Sequence, residues 1–330
     1  MDTDVSLWLA VLLFVVGLVC LVKGGDWFVR GAVDLAALLH IPELIVGATV
    51  VAIGTTLPEV MVSASAAVKG IGAMSYGNAI GSIICNTALI SALTIAIRPS
   101  ETDRKSLRLP VTFFFIAAAS YLVLSYFVGR FDRAAGVAYL IMFVIYIAIN
   151  VKQAMKLSAE NPDADDPEVE EHNDPLWLSL VLLVVGGALI AVGARLLVDY
   201  GTVIAIYMGV PSSVIALTFI ALGTSLPELV TAIVSLAKGH GALSLGNIIG
   251  ANLFNLILVN GVSVTLAPYE LPVEKTLFGR NAALVLDLPL MLFVMLLLTV
   301  PALIRGKLYR WQGITLLALY VGFIVLQFAV

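Results

Sequence analysis

The sequence predicts an all-α membrane protein of ten transmembrane helices, arranged as two inverted five-helix repeats with helices 2, 3, 7 and 8 broken. Three observations carry that prediction. Of the 330 residues, 61% are hydrophobic and 12% charged, where a soluble domain carries about one-quarter charged residues. Apolar stretches of about 20 residues, long enough to cross a hydrocarbon core of roughly 30 Å as a helix, recur along the whole chain. Residues 42–86 lie over residues 211–255 at a constant offset of 169 without a gap, with 18 identities in 45 positions. Shared apolar composition would match some Leu and Val, but not Gly, Pro, Asn and Glu in register, so the two halves read as copies of one unit.

Taken in order, apolar runs between charged or turn-rich breaks place spans at approximately 7–31, 43–67, 72–97, 109–128, 134–155, 176–200, 212–236, 242–266, 287–304 and 309–329. The N-terminus, Met1-Asp2-Thr3-Asp4, is acidic where a secretory leader carries positive charge, so the first run reads as a retained span. Cys20 and Cys85 lie in separate runs without metal-ligand spacing and read as small hydrophobes. After the fifth span, residues 160–174 read ENPDADDPEVEEHND and supply most of the net charge of -4. Such acidic runs are solvated linkers, and this one lacks the glycine and ligand alternation of an EF-hand loop. The chain thus divides into a first five-helix unit at 1–155, an acidic linker at 156–175 and a second unit at 176–330. The charge balance gives no sign of nucleic-acid binding.

Five spans is an odd number, so the second unit enters the bilayer from the opposite side, the build of transporters whose halves rock about a central site. With the N-terminus outside, twelve of the eighteen Lys and Arg gather on the linker's side, Lys23 and Arg30 included. The positive-inside rule then makes the linker cytoplasmic and both termini extracytoplasmic, in the cell membrane.

The repeats centre on AIGTTLPEV at 52–60 and ALGTSLPEL at 221–229. Proline inside a helix deletes one backbone bond and clashes with the carbonyl four residues earlier, at Gly54 for Pro58 and Gly223 for Pro227, so both helices are expected to kink. Freed carbonyls at membrane depth persist only where protein, water or an ion satisfies them. Glu59 and Glu228 follow those prolines at mid-span. A charged carboxylate there costs about 2.5–3.5 kcal/mol on insertion scales and reads as functional; no Lys or Arg lies in spans two, three, seven or eight away from their ends to make it a structural ion pair.

Thr55 and Thr224 sit four residues before those glutamates, on the same helical face. Spans three and eight add Asn78, Ser82 and Asn86, and Asn247 and Asn255. All offer oxygen, which hard cations prefer. Calcium takes about six to eight oxygens, and two glutamates cancel the charge of one calcium ion. Asn86 and Asn255 read as ion ligands, whereas Asn78 and Asn247 read first as amides tying membrane helices together. Asp26, Arg30, Asp34, Arg195 and Asp199 fall near span ends, where snorkelling or pairing suffices, and Asp287 marks an interface. A cation channel would need a continuous pore, commonly built of rings of like residues. An enzyme would need a nucleophile, base and orienting partner in reach, but His40, His172 and His240 lie at span ends or in the acidic loop. No cofactor is expected.

At the paired GTxLPE and GNxIGxxxxN motifs the sequence resembles the calcium/cation antiporter superfamily, and within it the bacterial sodium/calcium exchanger branch, over essentially the whole chain. The resemblance implies exchange of several sodium ions for one calcium. It implies calcium between Glu59 and Glu228 with Thr55 and Thr224. One flanking sodium would use the Ala52 carbonyl, Thr55, Ser82 and Glu228, and the other the Ala221 carbonyl, Thr224 and Glu59. Two positions depart from the prokaryotic pattern: Ala251 stands where serine is frequent and Asn255 where aspartate is. The first removes a hydroxyl from the second sodium site, and the second argues against potassium coupling. The proton/calcium branch, the alternative of the same fold, resembles GNxxEH after its repeats, where this chain has Ser82-Ile83 and Ala251-Asn252.

Overall fold

A computed structural model describes residues 6–160, 175–208, 223–273, 276–277 and 279–329. Among these, nine helices are long and apolar enough to cross a membrane: α1 (Leu7–Leu38), α2 (Glu43–Val68), α3 (Gly72–Ile97), α4 (Arg104–Val128), α5 (Arg133–Leu157), α6 (Leu176–Ile204, its helix continuing to Tyr207), α8 (Gly241–Leu266), α9 (Ala283–Arg305) and α10 (Arg310–Gln327). The shorter α7 (Leu226–Ala237) is equally apolar. The acidic stretch 161–174 and residues 209–222, which hold the start of the seventh predicted span, lie outside the described residues.

The first helix of each half is longer than the sequence breaks suggest. Both α1 and α6 have 32 residues, or about 48 Å at 1.5 Å per residue, more than a bilayer core. Lys23 and Arg30 consequently lie within a helix and not in a loop. Arg30 Nε stands 3.8 Å from Asp34 Oδ2, and Arg195 Nε 3.6 Å from Asp199 Oδ2. These i,i+4 pairs let charge remain in a continuous helix. The two helices are antiparallel along a glycine seam: a Cβ on Gly17 would meet Gly193 O at 3.0 Å, and one on Gly24 would meet Gly186 O at 2.8 Å. Small residues let membrane helices approach this closely.

The central helices are α3 and α8, whose side chains Ile80, Ile83, Ile84, Phe254 and Leu256 join Phe114 and Tyr121 of α4 and Met291 and Leu298 of α9 in the main apolar core. Pro58 sits inside a continuous helix, and the irregularity of α2 is a π-helical segment upstream of it, Gly47–Val51. The carbonyl of Ala48 in that segment accepts from Tyr146 Oη at 3.0 Å. In α7, by contrast, the helix starts at Leu226 after a turn at Thr224 and Ser225, with Pro227 in its first turn, where the missing N–H costs nothing. Two further π-helical segments begin at repeat-equivalent asparagines, Asn86–Ser91 in α3 and Asn255–Val259 in α8.

Helix ends meet at two opposite faces. On one, His240 Nδ1 lies 2.7 Å from Glu43 Oε1, Leu308 N donates to Ser100 O at 2.9 Å and Thr102 N to Gly306 O at 2.9 Å. On the other, strand β1 (Arg130–Phe131) pairs antiparallel with β2 (Tyr269–Glu270).

Candidate ion-binding site

Between those faces, α2 packs across α8. Gly250 makes the close approach possible: a Cβ there would fall 2.7 Å from both Ala48 Cα and Ala52 Cβ. That contact fixes the register that brings Thr55 of α2 to Asn247 of α8.

Glu59 and Glu228 are both fully buried, on helices that pack against each other. None of their four oxygens has a hydrogen-bond partner among the described residues, and neither residue is in an ion pair there. Asn86 and Asn255 are equally buried. Both amide atoms of Asn86 and the Oδ1 of Asn255 lack partners as well, while Asn255 Nδ2 donates to Ala251 O at 3.0 Å. The helix of Glu59 packs against the π-helical segment that Asn255 begins, and the helix of Glu228 against the segment that Asn86 begins. π-Helical turns inside α-helices are frequent at functional sites. Six buried, unpartnered oxygens on four repeat-equivalent residues are a donor set suited to a hard cation. Left without one, groups of this kind would bear the desolvation cost of isolated polar atoms.

The hydroxyls form a second layer. Thr55 Oγ1 is 3.5 Å from Ala52 O and donates to Asn247 Oδ1 at 3.1 Å. Its helix packs against that of Glu228. In the other half, Thr224 Oγ1 donates to Asn78 Oδ1 at 3.2 Å. Ser225 Oγ lies 3.4 Å from Ser82 Oγ.

Of the residues singled out from the sequence, Ala52, Thr55, Glu59, Ser82, Asn86, Thr224, Glu228 and Asn255 are all described, and all but the half-buried Thr224 are buried; Ala221 lies outside the described residues. Ser225 and Thr56 were missed. Both are buried, Thr56 Oγ1 without a partner, and they occupy one repeat position, beside the two threonines already chosen, so the overlay held the signal. Cys85 is buried in a small cluster against which Tyr320 packs, a proximity that spacing could not reveal. Asp287, mid-element in α9, accepts from Gln327 at 2.9 Å.

The sodium/calcium exchanger protein family matches residues 9–152 and 178–329. The chain is similar to a membrane protein of Methanocaldococcus jannaschii, at 35% identity over 93% of this chain and 94% of that one. It is similar to the sodium/calcium exchanger MaX1 of Methanosarcina acetivorans at 28% identity, covering 96% and 98%. Its structure resembles that of the sodium-calcium exchanger NCX_Mj with a TM-score of 0.79 at 35% identity, over 97% of this chain and 99% of that one. A match that takes in both halves, with one architecture throughout, makes this chain a member of the sodium/calcium exchanger family.

Proposed function

We propose that this protein is a secondary-active antiporter that exchanges sodium for calcium by alternating access, with calcium held between Glu59 and Glu228. The family is one of transporters, not of catalysts. One observation carries the finer reading: two fully buried carboxylates at repeat-equivalent positions, with no cationic side chain and no hydrogen-bond donor on their oxygens among the described residues. Two negative charges so placed call for a counter-charge, and one calcium ion supplies it. Thr55, Thr224, the carbonyls of Ala52 and Ala221, Ser82, Asn86 and Asn255 complete the sites for calcium and the sodium ions that replace it. The sodium/calcium exchange for which MaX1 and NCX_Mj are named supports sodium as the coupling ion.

The chain divides at 156–175 into two units of inverted topology, a reading that the antiparallel α1 and α6, first helices of the two repeats, support. Both termini then face outward from the cell membrane. The face that joins His240 to Glu43 and Ser100 to Leu308 is the cytoplasmic one; it carries Arg98, Arg104, Lys105, Lys238, Arg305, Lys307 and Arg310, as positive-inside sorting requires.

The test is calcium flux in proteoliposomes under sodium or proton gradients imposed separately. A sodium gradient at constant pH is expected to drive calcium, and Glu59→Gln and Glu228→Gln each to abolish that flux while the protein remains folded. Flux driven by pH alone would select the proton-coupled alternative, and near-parental flux in either variant would remove the site.

A further inference from the structure

Two asparagines that the sequence suggests as helix glue do something more specific. A threonine hydroxyl has one proton and two lone pairs, and a cation can be held only by the lone pairs. Beside a buried carboxylate the proton is drawn to the carboxylate, and each such bond consumes an oxygen the ion needs. Thr55 is on a helix packed against that of the buried Glu228. Its proton instead goes to Asn247 Oδ1 at 3.1 Å. Asn247 is held in the orientation that offers its oxygen because its Nδ2 donates to Thr231 Oγ1 at 2.8 Å, while the single Thr231 hydroxyl proton is committed to the backbone, between Pro227 O at 2.9 Å and Glu228 O at 3.0 Å.

The other half shows the same order of protons. Thr224 donates to Asn78 Oδ1 at 3.2 Å, and Asn78 Nδ2 donates to Ser63 Oγ at 2.8 Å and Glu59 O at 3.2 Å. Each threonine therefore gives its proton to an asparagine of the opposite half. The anchors differ: the repeat mate of Ser63 is Ala232, and that of Thr231 is Val62. The two halves reach one proton order by different residues, so the order is shared although its anchors are not.

We infer that Asn78 and Asn247 are positioning residues, which take up the hydroxyl protons of Thr224 and Thr55 so that those oxygens and the glutamates present only lone pairs to the ion. The inference rests on the proposed reading of the threonines as ligands. It predicts an effect weighted toward sodium, since a monovalent ion draws more of its binding from neutral oxygens than calcium does between two carboxylates.

The test measures sodium and calcium half-saturation for flux in proteoliposomes for Thr55→Val, Asn247→Leu and the double variant. Each single change should raise sodium half-saturation about three- to tenfold, the worth of one hydrogen bond, with a smaller change for calcium. The double variant should be no worse than the worse single, because Asn247 acts through Thr55. Parental sodium dependence in Asn247→Leu, equal shifts for the two ions, or a double effect equal to the product of the singles overturns the inference. Parental sodium dependence in Thr55→Val defeats the ligand reading itself, a separate result. Should Asn247→Leu not fold, Asn247→Ala removes the acceptor without added bulk or charge and should give the same roughly three- to tenfold sodium shift; parental sodium dependence there overturns the inference.

Discussion

Ser225 Oγ lies 3.4 Å from Ser82 Oγ, joining α7 to α3 across the two halves of the chain. The residues in the mirrored positions are Thr56 and Ala251, and there the link is missing: Ala251 has no hydroxyl and Thr56 Oγ1 is buried without a partner among the described residues. The two halves are thus chemically unequal where the sodium ions are proposed to sit.

From that inequality, Ala251→Ser is expected to lower sodium half-saturation about three- to tenfold by supplying one more oxygen and a partner for Thr56. Ser82→Ala should raise it by a similar factor. Sodium-dependent calcium flux in proteoliposomes measures both, and no change in either variant would refute a sodium ion beside these positions.

Stoichiometry is readable as voltage dependence. With Asn255 in place of an acid, the cluster carries two carboxylates, which one calcium neutralises and three sodium ions overbalance by one positive charge. Moving that charge through the membrane changes the driving force by about 2.3 kcal/mol per 100 mV. Three-for-one exchange is the expected result, because Thr224, Glu59 and a backbone carbonyl still serve the sodium that Ala251 deprives. A reversal potential fitting two sodium ions per calcium would overturn it, and Ala251→Ser should then introduce voltage dependence.

The glycine seam between α1 and α6 gives a prediction about stability. A side chain at Gly24 would press on Gly186 O at 2.8 Å and Ile190 N at 2.9 Å, backbone atoms that cannot rotate away. Gly24→Val is expected to destabilise by about 1–3 kcal/mol, read as a fall in apparent unfolding temperature in detergent. Gly70→Ala is no control, since Gly70 has φ +75°; Gly77→Ala, with open space around it, should change little.

Asp103 caps α4, accepting from Lys105 N at 3.0 Å, Ser106 N at 3.1 Å and Ser106 Oγ at 2.5 Å. Burial pushes its carboxyl up, but the hydrogen bonds from Ser106 and Lys105 outweigh it and hold the group below the usual carboxylate range. The folded value is depressed, so the cap contributes fully above the unfolded value of about 3.9 and is lost as pH falls through the lower folded one. Asp103→Ala should cost about 1 kcal/mol at neutral pH. The gap in unfolding temperature between parent and variant should close in strong acid; a gap independent of pH would deny the charged cap.

The sequence alone determined the membrane class, the span pattern and the equivalence of Glu59 with Glu228, because apolar length and an ungapped offset of 169 are properties of the chain and need no fold to be read. It also contained the imbalance between Ser82 and Ala251. What only the tertiary structure decided is which residues meet across the halves. Thr55 finds Asn247 and Thr224 finds Asn78 because glycine-to-backbone contacts such as Gly250 on Ala48 set the register between helices, and a nearly uniform apolar surface has no periodic pattern from which to read that register. The end of α1 was hidden for a related reason: the i,i+4 pair of Arg30 with Asp34 carries charge through the helix past residue 31. The π-helical segments at Asn86 and Asn255 were hidden too, since a hydrogen bond lengthened by one residue leaves composition unchanged and only the packing of each segment against the opposite glutamate's helix gives it a purpose.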